Sequence, residues 1–221
     1  GTGERGIFNR YSINSLIPKR RRKRQDWTTN PCGEIILRPR GFCNLTEVVI
    51  RAEDTLETLM EKIKVATMIG TIQSTLTDFS LLDDLHDDWK KNAEEERLLG
   101  VSMTGQMDNP DILTPDNLQS LRDFSVGVNV ETAERLKINR SAAITTTKPS
   151  GTVSTLVNSA SGFHPRFADY YIRRVRISAT DPLYKMMKDQ GVKFHPEVGQ
   201  PVKTAMTWVV EFPVKAPENS V

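Results

Sequence analysis

The chain has 221 residues, 38% hydrophobic and 26% charged, and a net charge of +2; that is enough for one sizeable core and too near neutrality to argue for a nucleic-acid partner. It holds no run of about eighteen apolar residues, which excludes a membrane-spanning helix, and its start has no signal-peptide pattern, so a cytoplasmic location without membrane attachment is expected. Cys32 and Cys43, eleven positions apart, with His86, His164 and His195 scattered, match neither a zinc cage nor a secreted disulfide framework, and suggest redox work in a reducing compartment.

Lys19 to Arg24 is a block of six like charges. A solvated loop is its simplest reading, with polyanion or membrane-surface binding, or attraction of anionic nucleotides, as alternatives. In Asn30-Pro31-Cys32-Gly33-Glu34 a thiol stands two residues before a carboxylate and two after an amide. If this loop is extended, side-chain alternation turns Asn30, Cys32 and Glu34 to one side, while Pro31 and Gly33 suit a tight approach to a ligand. The alternative is a buried structural cysteine in an ordinary turn. The second thiol follows in Gly41-Phe42-Cys43-Asn44-Leu45-Thr46-Glu47-Val48.

Thr46 to Arg51 reads as a strand. Asp54 with Glu57 resembles a capping box opening a long helix with an apolar face of Leu56, Leu59, Met60, Ile63, Ala66, Ile69 and Ile72. Thr114-Pro115 starts a second helix, with Leu118, Leu121 and Phe124 as its buried stripe, and Ala142 to Thr147 reads as a buried strand. This alternation implies an α/β fold with parallel strands. Pro149-Ser150-Gly151-Thr152-Val153-Ser154 then lies between strand and helix, where backbone N–H groups and hydroxyls suit an anion, although an ordinary helix cap uses the same residues. His164, in Gly162-Phe163-His164-Pro165, reads as a loop histidine with a structural hydrogen bond, or as an imidazole near the same anion. Tyr170 to Ser178 and Thr207 to Val214 are expected strands, with a helix from Pro182 to Gln190 ended by Gly191. Arg173, Arg174 and Arg176 alternate and cannot all face one ligand. With no repeat or low-complexity linker, residues 1–221 read as a single unit.

Together, Asn30-Pro31-Cys32-Gly33-Glu34, Phe42-Cys43-Asn44-Leu45 and Lys148-Pro149-Ser150-Gly151-Thr152-Val153-Ser154 resemble the catalytic core of a ribonucleotide reductase. The linking text agrees: Gly3-Glu4-Arg5-Gly6-Ile7-Phe8-Asn9-Arg10, Glu94 to Ser102, and Tyr171 to Ile177. The chain is most similar to the adenosylcobalamin-dependent (class II) members that reduce ribonucleoside triphosphates. The resemblance implies part of a ten-stranded α/β barrel whose central finger loop carries Cys32. It further implies that Cys32 becomes a thiyl radical that abstracts the ribose 3′-hydrogen, that Glu34 takes the 3′-hydroxyl proton, that Asn30 holds the ribose hydroxyls, and that Cys43 is one half of the reducing dithiol. Ser150, Gly151, Thr152, Val153 and Ser154 would hold the substrate phosphates, with adenosylcobalamin as cofactor and no metal ligated directly by these residues.

The cysteine that pairs with Cys43 in the family, and the C-terminal pair that regenerates the dithiol, have no match here. The chain is therefore expected to be a catalytic-core fragment, inactive alone, needing the remaining reductase polypeptide and a thioredoxin-like reductant. A reductase of another radical class, or a non-catalytic fragment binding polyanions or nucleotides, is the alternative function.

Overall fold

Cys43 is followed at once by β3 (Asn44–Val49), which pairs in parallel with β4 (Leu99–Thr104), Asn44 opposite Leu99 and Val49 opposite Thr104. In this computed structural model, describing residues 6–80, 86–148, 150–218 and 220, residues 142–146 continue that ladder. Leu99 N donates to Ala143 O at 3.0 Å, Val101 N to Ile144 O at 2.8 Å and Thr146 N to Val101 O at 3.0 Å. Parallel neighbours require crossovers, supplied by α2 (Leu56–Gln73) between the first two strands and α4 (Pro115–Leu136) between the second and third segments. The two helices pack on each other and on the sheet, around Val48, Ile50, Leu59, Ile63, Ala66, Leu99, Val101, Leu121 and Ile144. The fold is thus mixed α/β, with parallel strands here.

Before this sheet come α1 (Ile13–Leu16) and a short antiparallel pair, β1 (Thr28–Thr29) and β2 (Ile36–Leu37). A further helix, α3 (Asp88–Glu96), precedes β4, and α5 (Thr152–Leu156) follows the third strand segment. Residues 3–5 of the quoted N-terminal motif and Pro149 lie outside the described residues.

Several expectations shift. The N-cap of α2 is Thr55, whose extended backbone (φ −103°, ψ 171°) makes a reciprocal capping box with Thr58. Asp54 instead accepts from Arg51 N, Thr58 Oγ1 and Lys62 Nζ, so it braces the turn rather than caps the helix. Ile69 and Ile72 are more than half exposed. The buried stripe passes from Ala66 to the small residues Thr67, Gly70 and Thr71: Gly70 lies against Leu99, and Thr71 accepts from Asn129 of α4, an approach too close for bulky side chains. Likewise Leu121 is buried in α4 while Leu118 faces outward.

The chain divides into two compact units, the first ending at Pro165 and the second spanning Arg166–Glu218, a division at a short loop rather than at any low-complexity linker. The second unit is an antiparallel sheet in which β7 (Thr207–Lys215) lies between β5 (Tyr170–Ser178) and β6 (His195–Pro196). Its helix α6 (Pro182–Asp189) buries Tyr184, stacked on Trp208 at 5.6 Å and edge-on to Phe194 at 4.9 Å. Arg174 pairs with Glu211 across the sheet, Arg176 with Glu197, and Arg173 donates to the Tyr171 hydroxyl.

Candidate active site

Residues 30–35 form the turn joining β1 to β2, with Thr29 opposite Ile36. Gly33 N donates to Asn30 O at 3.0 Å, and Gly33 has φ +82°, a left-handed conformation that would strain any other residue here. Asn30 Oδ1 accepts from Ile35 N at 3.1 Å, and its Nδ2 donates to Glu34 Oε1 at 2.7 Å. Asn30 and Glu34 therefore meet across a closed turn, not by the alternation of an extended loop, and Cys32 stands exposed at its tip. The exposure excludes a buried structural cysteine.

Lys148, just past the third strand segment, reaches this turn. Its Nζ donates to Glu34 Oε1 at 2.8 Å and lies 4.0 Å from Cys32 Sγ. Thr146 Oγ1 donates to Glu34 O at 3.2 Å, tying the same segment to the turn. Burial raises the Glu34 pKa, but donation from Lys148, from the backbone and from Asn30 outweighs it and leaves the carboxyl below its ordinary range. Glu34 Oε2 is buried and has no hydrogen-bond partner among the described residues. Glu34 also lines a cavity of about 410 Å3 with Ile35, Thr145 and Thr146, a size suited to a small ligand.

Cys43 is half-buried, and desolvation pushes its thiol up to about 12, with Arg21, Glu34 and Lys148 as its charged neighbours. It stays a neutral S–H donor at neutral pH rather than a thiolate. Gly100 makes room for it: a Cβ there would lie 3.0 Å from Cys43 Sγ and 2.5 Å from Leu45 Cδ2. The structure thus gathers Asn30, Cys32, Glu34 and Cys43 around Lys148. Lys148 and Thr146 carried no assigned role in the sequence. The available signal was position, since both stand at the carboxyl end of a parallel strand, where α/β proteins place ligands.

Ser150 and Gly151 lead into α5, whose first turn holds Thr152, Val153 and Ser154. Ser150 Oγ accepts from Ser154 N at 3.1 Å and donates to Glu47 Oε2 at 3.3 Å, while Ser154 Oγ donates to Gly151 O at 2.9 Å. The two serines are buried within the turn, whereas Gly151, Thr152 and Val153 are exposed. Burial raises the Glu47 carboxyl pKa, against the opposing effects of Ser150 and Lys148. His164 meets Ser161 O through Nδ1 at 3.1 Å and stacks on Phe163, as expected of a structural loop histidine.

The basic block is not simply solvated. Arg21 is buried, donates to both oxygens of Glu96 at 2.8 and 3.0 Å and to Ile36 O at 2.7 Å, and lies over the Trp27 ring. Its neighbours Arg20 and Arg22 line, with Arg38 and Arg140, a cavity of about 630 Å3 that contains none of the residues gathered at Lys148. The guanidinium succeeds in the interior because its planar fork satisfies a carboxylate and a carbonyl together.

Among the described residues, no group of three or more His, Cys, Asp or Glu is placed to hold a metal ion, and no helix is long and apolar enough to cross a membrane. No family model matches the chain. It is 31% identical over 220 residues to the adenosylcobalamin-dependent ribonucleoside-triphosphate reductase of Lactobacillus acidophilus, covering 85% of this chain and 28% of that protein. The reductases of the same name from Levilactobacillus brevis and Lactobacillus leichmannii are 31% and 29% identical over 222 and 223 residues, with the same coverages. The chain thus spans under a third of the length of the curated relatives it matches. A crystal structure of a B12-dependent (class II) ribonucleotide reductase superposes with a TM-score of 0.66 at 25% identity, over 86% of this chain and 30% of that one.

Proposed function

Because this chain is a homologue of part of the adenosylcobalamin-dependent ribonucleoside-triphosphate reductases, we propose that it carries the substrate-activating segment of such an enzyme. The reaction would convert a ribonucleotide, a triphosphate by analogy with the relatives' names, into the 2′-deoxyribonucleotide used for DNA synthesis. The observation that carries this reading is an exposed thiol on a closed turn beside a carboxylate with one oxygen engaged and one unpartnered.

Cys32, as a thiyl radical, takes the hydrogen atom from C3′ of the ribose and gives it back to C3′ once the 2′-carbon is reduced, which restores the radical. Glu34 accepts the 3′-hydroxyl proton, and Asn30 fixes that carboxylate by its 2.7 Å donation and orients the sugar hydroxyls. Cys43, held as a neutral thiol, and a cysteine supplied by further polypeptide give two electrons and two protons; the 2′-hydroxyl leaves as water and the two thiols become a disulfide, which a thioredoxin-like reductant reopens. The exposed 151–153 backbone, with Thr152, faces the phosphates, while Ser150 and Ser154 hold that turn in shape. An exposed thiol fits a cofactor that must act on it from outside the chain, and adenosylcobalamin, when bound, supplies the homolysis that makes the radical. Cys32 is the residue of this chain assigned to meet it.

The β3 and β4 pair and the 142–146 segment are read as part of the ten-stranded barrel, with the Cys32 turn as its finger loop, in a cytoplasmic enzyme. The test is deoxyribonucleotide formation from a ribonucleoside triphosphate, adenosylcobalamin and a dithiol, by the chain assembled with the rest of a class II reductase. Wild type should form product and Cys32→Ser should form none while still binding nucleotide. Product from Cys32→Ala would instead favour a non-catalytic binding piece, and product without cobalamin a reductase of another radical class.

A further inference from the structure

Glu34 has two carboxylate oxygens, and the turn treats them differently. Oε1 receives Asn30 Nδ2 at 2.7 Å and Lys148 Nζ at 2.8 Å, whereas Oε2 is buried without a partner. Asn30 comes from the turn itself and Lys148 from a segment 114 residues away, so the pair grips the carboxylate from two elements. The Glu34 side chain is only 9% exposed and that of Lys148 25%, which limits the water able to replace either bond.

We propose that Lys148 is a positioning residue of the reduction site: with Asn30 it pins Glu34 Oε1, and thereby fixes the carboxylate that takes the proton of the substrate's 3′-hydroxyl. The proposal rests on the reductase reading above. Lys148 does not itself touch the reacting atoms; it acts by fixing the orientation of the base and keeping it ionised before substrate arrives. The other titratable or charged groups facing this pair are Cys32 on the turn, Cys43 and Glu47 from the β3 segment, and Arg21, which acts on Cys43. Among them, only Lys148 sets a cation on the Glu34 carboxylate by a direct hydrogen bond. Lys148 also stands 4.0 Å from Cys32 Sγ, so the same ammonium relates the base to the thiol that removes the neighbouring hydrogen.

The test uses the full 221-residue chain labelled with 13C at glutamate Cδ, with the Glu34 resonance assigned by Glu34→Gln. Glu34 should titrate below the ordinary carboxylate range in wild type, at higher pH in Lys148→Met, and close to wild type in Lys148→Arg. Lys148→Gln, which keeps a donor but no charge, should fall between, and it replaces Lys148→Met should that variant not fold. An unmoved Glu34 midpoint in a folded Met or Gln variant overturns the proposal. In the assembled holoenzyme, Lys148→Met should lower kcat about a hundredfold, with less effect on KM, and move the acid limb of kcat/KM to higher pH; Lys148→Arg should restore both. An active wild type whose Lys148→Met variant keeps the same profile overturns the role of Lys148 and leaves the reductase reading standing. A wild-type assembly that makes no deoxyribonucleotide overturns that reading, while the titration still decides the coupling of Lys148 to Glu34.

Discussion

Arg21 meets Glu96 through two hydrogen bonds, of 2.8 and 3.0 Å, and donates a third to Ile36 O; Lys148 meets Glu34 through one bond of 2.8 Å, and a carboxylate oxygen is left over. Both pairs join a cation from one segment to a carboxylate from another inside the first unit. In the first, whose side chains are 3% and 10% exposed, both carboxylate oxygens are engaged. In the second, Oε2 is buried with no partner among the described residues, and an exposed thiol stands close by. The two pairs thus differ in whether the carboxylate has an oxygen left over rather than in charge. The six-residue basic block, the loudest charge signal in the sequence, is structural at its centre, whereas a single lysine reaches the candidate site.

The contrast breaks most readily at the two carboxylates. Glu34→Gln should cost about 10²–10⁴-fold in turnover of the assembled enzyme with little change in melting temperature, because the amide keeps the shape of the turn. Glu96→Gln should do the reverse, destabilising the chain by about 3–5 kcal/mol in urea unfolding, since it leaves the buried Arg21 charge uncompensated. Equal effects of both on stability would erase the distinction. Replacing Arg21 and Glu96 together by Met and Leu should recover most of the lost stability, as expected of an ion pair whose attraction is offset by desolvation.

The two thiols sharpen the comparison at lower energy. Native chain at pH 8 should react with iodoacetamide at Cys32 first, and Cys43, half-buried and pushed up to about 12, should react far more slowly until the chain unfolds. Mass analysis of the alkylated protein reads this directly, and rapid labelling of both thiols would contradict the packing of Cys43 against Gly100.

The smallest effects concern pH. The folded-state pKa of Glu34 is depressed, so its contribution to stability is present above the ordinary carboxylate value and is lost as pH falls through the folded one. Glu47 has the opposite sign: its raised folded pKa makes stability decline as pH rises past the ordinary carboxylate value. Glu47→Gln should therefore be slightly stabilising at pH 7 and neutral at pH 3, as read from urea midpoints at the two pH values.

Much of the fold was legible where local chemistry fixes it. Thr114 and Pro115 start α4 as expected, because an N-cap hydroxyl and a proline at the first turn need no tertiary help. Tyr170–Ser178 is a strand with the anticipated bounds. The exposure of Ile69 and Ile72 was not legible, since close packing of Gly70 and Thr71 decides which side of α2 turns inward, and that depends on α4, far away in sequence. At the candidate site, Asn30, Cys32, Glu34 and Cys43 could be named from their spacing and resemblance, but the turn geometry and the arrival of Lys148 required a segment 114 positions from Glu34 to be folded back.

The most direct measurement is turnover of a 3′-deuterated ribonucleoside triphosphate by the enzyme assembled with this chain. A slower formation of deoxyribonucleotide than from the protiated substrate, with product absent for Cys32→Ser, is expected if the Cys32 sulfur removes the 3′-hydrogen beside Glu34. Equal rates for the two substrates, together with product from Cys32→Ser, would contradict it.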